Sequence, residues 1–81
     1  MIFLIQLFNM IQDKEEFLRI FSGLTEDKCH ELGYDSTDDF IECELFDRFG
    51  LKIDSEFQFN EIKNAMLKPS NMNYLKISAG L

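Results

Sequence analysis

Apolar residues recur at the spacing of an α-helix through the first part of the chain. Phe3, Leu7, Leu18 and Phe21 follow this spacing, which predicts one helix, or two in succession, over residues 2–21. The most apolar stretch is interrupted by polar side chains and falls short of the roughly 20 residues that cross a membrane. We therefore interpret it as part of the core.

A short polar segment predicts where this helix breaks and where it ends. The run from Asp13 to Glu16 has the pattern of a capping box, in which each of the two carboxylates accepts a hydrogen bond from an otherwise unpaired amide. Ser22 and Gly23 follow the last apolar residue, and Gly is the residue that most often closes a helix in the left-handed conformation. The pattern therefore predicts a break at Asp13 and an end at Ser22.

The middle of the chain divides into an irregular segment and a second helix. Residues 24–35 show no period, so we expect a long loop there, with a turn at Gly33. Over residues 36–49 the apolar side chains return at helical spacing, and Gly50 stands where a helix would end. This second helix is the most strongly indicated element.

The last third is less regular. Residues 51–59 alternate between apolar and polar side chains, which suits either an extended segment or a turn of helix. Asn60 is placed to cap a short helix over residues 61–67, which Pro69 would stop. The tail, residues 70–81, is poorly specified. The whole pattern predicts an all-α fold: one domain over residues 1–81, a bundle of three or four helices with a long loop before the second main helix.

Composition supports a folded core and narrows the range of partners. The chain has 81 residues, of which 46% are hydrophobic, including nine Phe, enough to bury a core in one small domain. Its net charge of −7 at neutral pH repels nucleic acid and anionic lipid surfaces. We therefore expect a basic protein partner, and we expect neither nucleic acid nor membrane binding.

The candidate chemistry lies at the start of the second main helix. Ser36 would present its hydroxyl there beside unpaired backbone amides, and the positive end of the helix dipole favours a negatively charged group. Asp35, directly before it, offers a carboxylate to a metal ion or a basic side chain. The alternative is that Ser36 or Asp35 only caps the helix.

The cysteines and the histidine do not form a convincing site. Cys29 and Cys43 lack the paired spacing of a zinc site, and His30 stands directly beside Cys29, where the two side chains rarely converge. We predict no metal site and no catalytic residues, so the protein is not expected to be an enzyme. Free cysteines and no recognisable secretory signal favour a reducing cytoplasm.

The sequence Leu-Gly-Tyr-Asp-Ser at residues 32–36, followed by an acidic helix, resembles the attachment motif of acyl carrier proteins. The resemblance covers residues 25–64. It implies that Ser36, next to Asp35, carries a covalent 4′-phosphopantetheine arm attached by a phosphopantetheinyl transferase. It also implies that basic acyl-transferring enzymes dock on the acidic helix through Asp38, Asp39, Glu42 and Asp47. The chain departs from the usual carrier pattern at Thr37, where those proteins have Leu.

A closer resemblance is to the uncharacterised acyl-carrier-like proteins of enteric bacteria. Those proteins share an aspartate pair after the motif and a Phe-rich segment after the helix, as in residues 37–40 and 57–59 here. The resemblance implies that residues 75–80 begin a C-terminal helix that runs further in such proteins. An unmodified acidic adaptor or inhibitor on the same fold is the alternative function, and a monomer or a weak dimer through the apolar N-terminus is the expected state.

Overall fold

Six helices joined by short turns make up the computed structural model, which describes residues 1–81. The helices are α1 (Ile2–Met10), α2 (Lys14–Phe21), α3 (Glu26–Glu31), α4 (Thr37–Phe49), α5 (Glu56–Met66) and α6 (Pro69–Ser78). The prediction of an all-α fold is confirmed, with six helices instead of three or four. No helix has both the length and the apolar run that crossing a membrane would take.

The predicted break in the N-terminal pattern separates α1 from α2. The Asp13 side chain caps α2 by accepting a hydrogen bond from the Glu16 amide at 3.0 Å. The second half of the capping box is not formed, because the Glu16 carboxylate accepts from the Arg19 guanidinium instead, at 2.9 Å from its Nε. Gly23 takes the left-handed conformation, with φ of 73°, just after α2 ends, as its position predicts.

The long loop predicted over residues 24–35 is wrong in part, because it contains helix α3. Thr25 caps this helix, its hydroxyl accepting from the Lys28 amide at 3.2 Å, and acidic residues fill the first turn. Only Cys29 of its six residues is buried. A helix this short, with one buried side chain, leaves no apolar period to detect.

The start predicted for the helix over residues 61–67 is also wrong. Helix α5 begins at Glu56, capped by Ser55, whose hydroxyl accepts from the Gln58 amide at 3.3 Å. Residues 51–55 form a connection without regular secondary structure, and Asn60 lies inside the helix. The alternation of residues 51–59 therefore spans an irregular connection and the first turn of α5.

Pro69 stops one helix and begins another. Helix α5 ends at Met66, and α6 starts with Pro69 in its first position, where a proline costs no hydrogen bond and its fixed φ suits the helix. Helix α6 reaches Ser78, so most of the tail is helical. Of its apolar side chains, Leu75 is buried and Ile77 is 70% exposed.

Aromatic rings fill the core between α2 and α4. The rings of Phe17 and Phe21 lie 4.9 Å apart between centroids, and Phe40 meets Phe21 edge-on at 5.8 Å; all three are buried. Elsewhere α1 packs on α5, and α2 packs on α6. The Arg48 guanidinium joins α4 to α2, lying 3.7 Å from the Glu16 carboxylate.

Candidate functional site

A tight turn delivers the chain from α3 to the start of α4. Gly33 has φ of 91°, and the Tyr34 amide donates to the Cys29 carbonyl at 3.0 Å while the Gly33 amide donates to His30 at 3.0 Å. These two bonds form a Schellman motif, in which a left-handed residue satisfies the last carbonyls of a helix. The predicted turn at Gly33 is confirmed, and its cause is the end of α3.

Tyr34 fixes this turn against α4. Its ring stands edge-on to Phe40, with 5.2 Å between centroids, and its hydroxyl donates to the Glu44 carboxylate at 3.0 Å. That hydrogen bond raises the pKa of the Tyr34 phenol above its usual range, since loss of the phenolic proton would place two negative charges together. Two contacts of the Tyr34 side chain therefore fix the turn before Ser36 to α4: its ring packs on Phe40 and its hydroxyl donates to Glu44.

Ser36 is the N-cap of α4. Its backbone is extended, with φ of −154°, and its half-buried side chain accepts a hydrogen bond from the Asp39 amide at 3.2 Å. Its carbonyl accepts the first bond of the helix, from Phe40, at 3.2 Å. Ser36 therefore caps the helix, as predicted for either Ser36 or Asp35. Capping occupies one lone pair of the oxygen and leaves the hydroxyl proton free to be donated.

Asp35 directly precedes Ser36 in the chain. Its side chain is exposed, and it makes no ion pair within 4.0 Å and no side-chain hydrogen bond. The first two amides of α4, at Thr37 and Asp38, have no carbonyl one turn earlier in the helix to bond to. The start of α4 therefore combines an accessible carboxylate, a hydroxyl and two amides without helical partners.

The acidic residues predicted to bind a partner differ in how free they are. The Asp38 carboxylate pairs with the Lys63 ammonium of α5 at 2.9 Å, and the Asp39 side chain is half-buried. Glu42 and Asp47 are exposed and make no ion pair. The free negative charge of the predicted docking surface therefore lies on Asp39, Glu42 and Asp47.

Helix geometry groups some of these carboxylates and separates one. Residues three and four apart face the same side of a helix, so Glu42 lies one turn below both Asp38 and Asp39. Asp47 is five residues further, about 7.5 Å along the axis and on a different side of the helix. The structure thus brings three of the four predicted docking residues together.

An open apolar cavity lies beside α4 below Glu42. It has a volume of about 300 Å³. Its lining comprises Glu42, Leu45, Phe46, Leu51, Lys52, Ile53 and Phe59. Ser36 is not part of it. The cavity continues the solvent-facing surface of α4 towards α5.

The two thiols have opposite environments. Cys29 is fully buried, and burial raises the pKa of its thiol by more than the nearby Thr37 side chain lowers it. Cys43 is exposed on α4. His30 lies 3.9 Å from the Glu26 carboxylate, and no three potential metal ligands converge. A raised thiol pKa makes Cys29 a poor nucleophile.

Two residues that shape this site were not predicted. Lys63 neutralises Asp38, and Glu44 anchors Tyr34, although neither stood out in the sequence. Lys63 belongs to another helix, far along the chain, and nothing local to α4 indicates its position. The Glu44 contact spans a turn and two helical turns, so it became visible only with the fold.

Comparison of this chain with protein families, with curated proteins and with solved structures finds no match.

Proposed function

We propose that this is a carrier-type protein whose Ser36 hydroxyl bears a 4′-phosphopantetheine arm holding an acyl group as a thioester. The observation that carries this proposal is the Ser36 hydroxyl at the first turn of α4, on a turn fixed by Tyr34 and next to the free carboxylate of Asp35. A phosphopantetheinyl transferase would take the arm from coenzyme A. The serine oxygen forms a bond to the phosphorus of the arm, the pyrophosphate P–O bond breaks, adenosine 3′,5′-bisphosphate leaves, and the hydroxyl proton is released. The free thiols of Cys29 and Cys43 suit a reducing cytoplasm, the compartment that we propose.

The electrostatics of the helix start support an anionic phosphodiester at this position. The positive end of the dipole of a helix as long as α4 favours a nearby negative charge by about 0.3–1 kcal/mol. The Thr37 and Asp38 amides, free of helical partners, are potential donors to phosphate oxygens. Asp38 already has Lys63 as its counter-ion, which limits repulsion between that carboxylate and the diester.

Docking of basic partner enzymes is the second part of the proposal. Asp39, Glu42 and Asp47 have no ion-pair partner within the chain, so a basic surface need not displace an internal cation to reach them. Electrostatic steering of this kind accelerates association and weakens as salt is added. Asp38 would contribute less, because Lys63 competes for it.

Co-expression with a phosphopantetheinyl transferase followed by intact-mass measurement tests the proposal. We expect the mass of one arm to be added. Ser36→Asn should abolish the gain while keeping the helix capped, because Asn caps as well as Ser. Ser55→Asn is the matched control, since Ser55 caps α5 in the same way and should leave the gain unchanged. No gain in the wild type, or a gain that survives Ser36→Asn, would contradict the proposal.

An unmodified acidic interaction module is the second candidate. It is favoured by the engagement of the Ser36 oxygen as a helix cap, together with exposed carboxylates at Glu42 and Asp47. Under this alternative, Glu42→Lys and Asp47→Lys abolish binding to a purified basic partner, and Ser36→Asn has no effect. Asp27→Lys, an equal change of charge on α3, is the control that should leave binding intact.

A further inference from the structure

Two cavities flank the connecting segment, residues 51–55, and together with it they are called the groove. On one side lies the cavity of about 300 Å³ beside α4, and on the other lies a cavity of about 450 Å³ between this segment, α1 and α5. Leu51, Lys52 and Ile53 line both cavities. The two cavities are therefore neighbours, separated by one segment whose side chains line both.

Large apolar side chains stand open to solvent around this groove. Phe46 borders the first cavity and is 59% exposed, and Met10 borders the second and is 67% exposed. Phe57, on the adjoining turn of α5, is 66% exposed although its ring meets Phe3 edge-on at 6.0 Å. Clustered apolar exposure of this kind on a small protein marks a binding surface.

The charges along the groove identify the occupant that fits it. Glu42 lines the first cavity and has no counter-ion, while Lys52 lies 3.8 Å from Asp54 and is offset by it. Asp39 continues the negative charge one turn along α4 from Glu42. A second copy of the chain would bring another net charge of −7 against this surface. A positively charged partner gains from the same field.

We propose that the groove binds a basic amphipathic helix of a partner protein. Two apolar side chains of that helix would enter the cavities on either side of Ile53, and its Lys or Arg residues would face Glu42 and Asp39. Apolar anchors seated in such pockets, surrounded by charges that set orientation, are the usual arrangement where a helix lies in a groove. This interaction shares Glu42 and Asp39 with the docking surface of the proposed function and rests on that part of it, whereas it does not involve Ser36 or its modification.

A designed peptide supplies the first test. The probe is a synthetic helix of about five turns with Leu and Phe on one face and Lys on the other. Two-dimensional NMR of labelled protein should show the largest shifts at Phe46, Ile53 and the adjoining residues of α1 and α5. The control peptide has the same composition in an order without an apolar face, and it should bind at least about tenfold more weakly.

Variants at the rim supply the second test. Phe46→Ser and Met10→Ser remove exposed side chains, so the fold is retained, and each should weaken peptide binding about tenfold. Ile77→Ser, an equally exposed apolar site on α6, should not change affinity. Ser36→Asn should also leave affinity unchanged, which separates this result from that of the modification experiment.

Two outcomes would overturn the proposal. Equal affinity for the amphipathic peptide and for the control peptide without an apolar face would mean that charge alone attracts them and that the cavities take no part. A dimer in sedimentation that dissociates on Phe46→Ser, with no peptide binding by the wild type, would mean that a second copy covers the groove.

Discussion

The core between α2 and α4 and the outer surface where the start of α1 meets α5 hold aromatic rings in opposite environments. Between α2 and α4 the rings of Phe17, Phe21 and Phe40 are buried against one another. On the other side Phe57 is mostly exposed, touched edge-on by Phe3. Similar side chains thus stabilise the fold in one region and remain available to a partner in the other.

The two regions therefore have different roles. The buried rings stabilise the fold, and the exposed side chains are available to a partner. The Tyr34 ring packs on Phe40, so the turn before Ser36 is attached to the buried core between α2 and α4. The groove along residues 51–55 lies on the other side, where α1 meets α5 and apolar side chains are exposed. Each of the following predictions changes one region, or the contact between them, and compares the result with the other.

The largest effect is expected for Phe21→Ala. Phe21 is fully buried among Phe17, Phe40 and Phe49, and removing such a ring costs about 3–5 kcal/mol of unfolding free energy. Phe57→Ala, the same substitution on the exposed side, should cost less than about 1 kcal/mol. Urea unfolding followed by far-UV circular dichroism measures both. Equal losses would mean that the two regions do not differ.

Loss of a helix cap should have a smaller and more even effect. Ser36→Ala and Ser55→Ala each remove a hydroxyl that accepts from an amide in the first helical turn. Each should cost about 1 kcal/mol of unfolding free energy, while the Asn substitutions should cost little. A loss at Ser36 several times that at Ser55 would indicate that Ser36 holds more of the fold than α4 alone.

Tyr34→Phe should remove a few tenths of a kcal/mol to about 1 kcal/mol, because a partly exposed hydrogen bond to Glu44 is lost. The difference from wild type should also depend on pH. Because the pKa of Tyr34 is raised in the folded state, its contribution is complete below the unfolded value of about 10 and is lost as pH rises through the folded value. Urea titrations at neutral and alkaline pH measure this. A difference that grows with alkalinity would contradict the assigned hydrogen bond.

The smallest effect is expected for Lys63→Met, which breaks the ion pair joining α5 to the first turn of α4. Asp38 is half-exposed, so the loss should be only about 0.2–1 kcal/mol and should shrink further in high salt. The freed Asp38 should then strengthen binding to a basic partner. Weaker binding would mean that Lys63 positions the docking surface and does not compete for it.

Elements that carry a local signal were predictable from the sequence. The break at Asp13 and the end at Gly50 each rest on one residue type with one physical role, an N-cap and a left-handed C-terminal residue. Residues 36–49 hold a buried stripe long enough to show a period. The placement of Ser36 at the start of that helix followed from the same signals.

What the sequence did not reveal depends on contacts between distant residues or on weak local signals. Helix α3 is polar and short, so its capping Thr25 was its best indicator. The capping role of Ser55 has no local sequence signal, because the start of α5 is fixed by its packing on α1. The pairing of Asp38 with Lys63 required the tertiary arrangement. The groove likewise has no sequence signature, because exposure is a property of the assembled surface.

The packing of α1 on α5 has a consequence for the order in which the chain acquires its structure. Neighbouring helices such as α5 and α6 are joined by a short connection, whereas Phe3 and Phe57, which are in contact, lie far apart in the sequence. Closing so long a stretch carries an entropy cost and slows folding. During synthesis the face of α1 that packs on α5 leaves the ribosome well before α5 exists, so we expect the α1–α5 contact to be among the last to form.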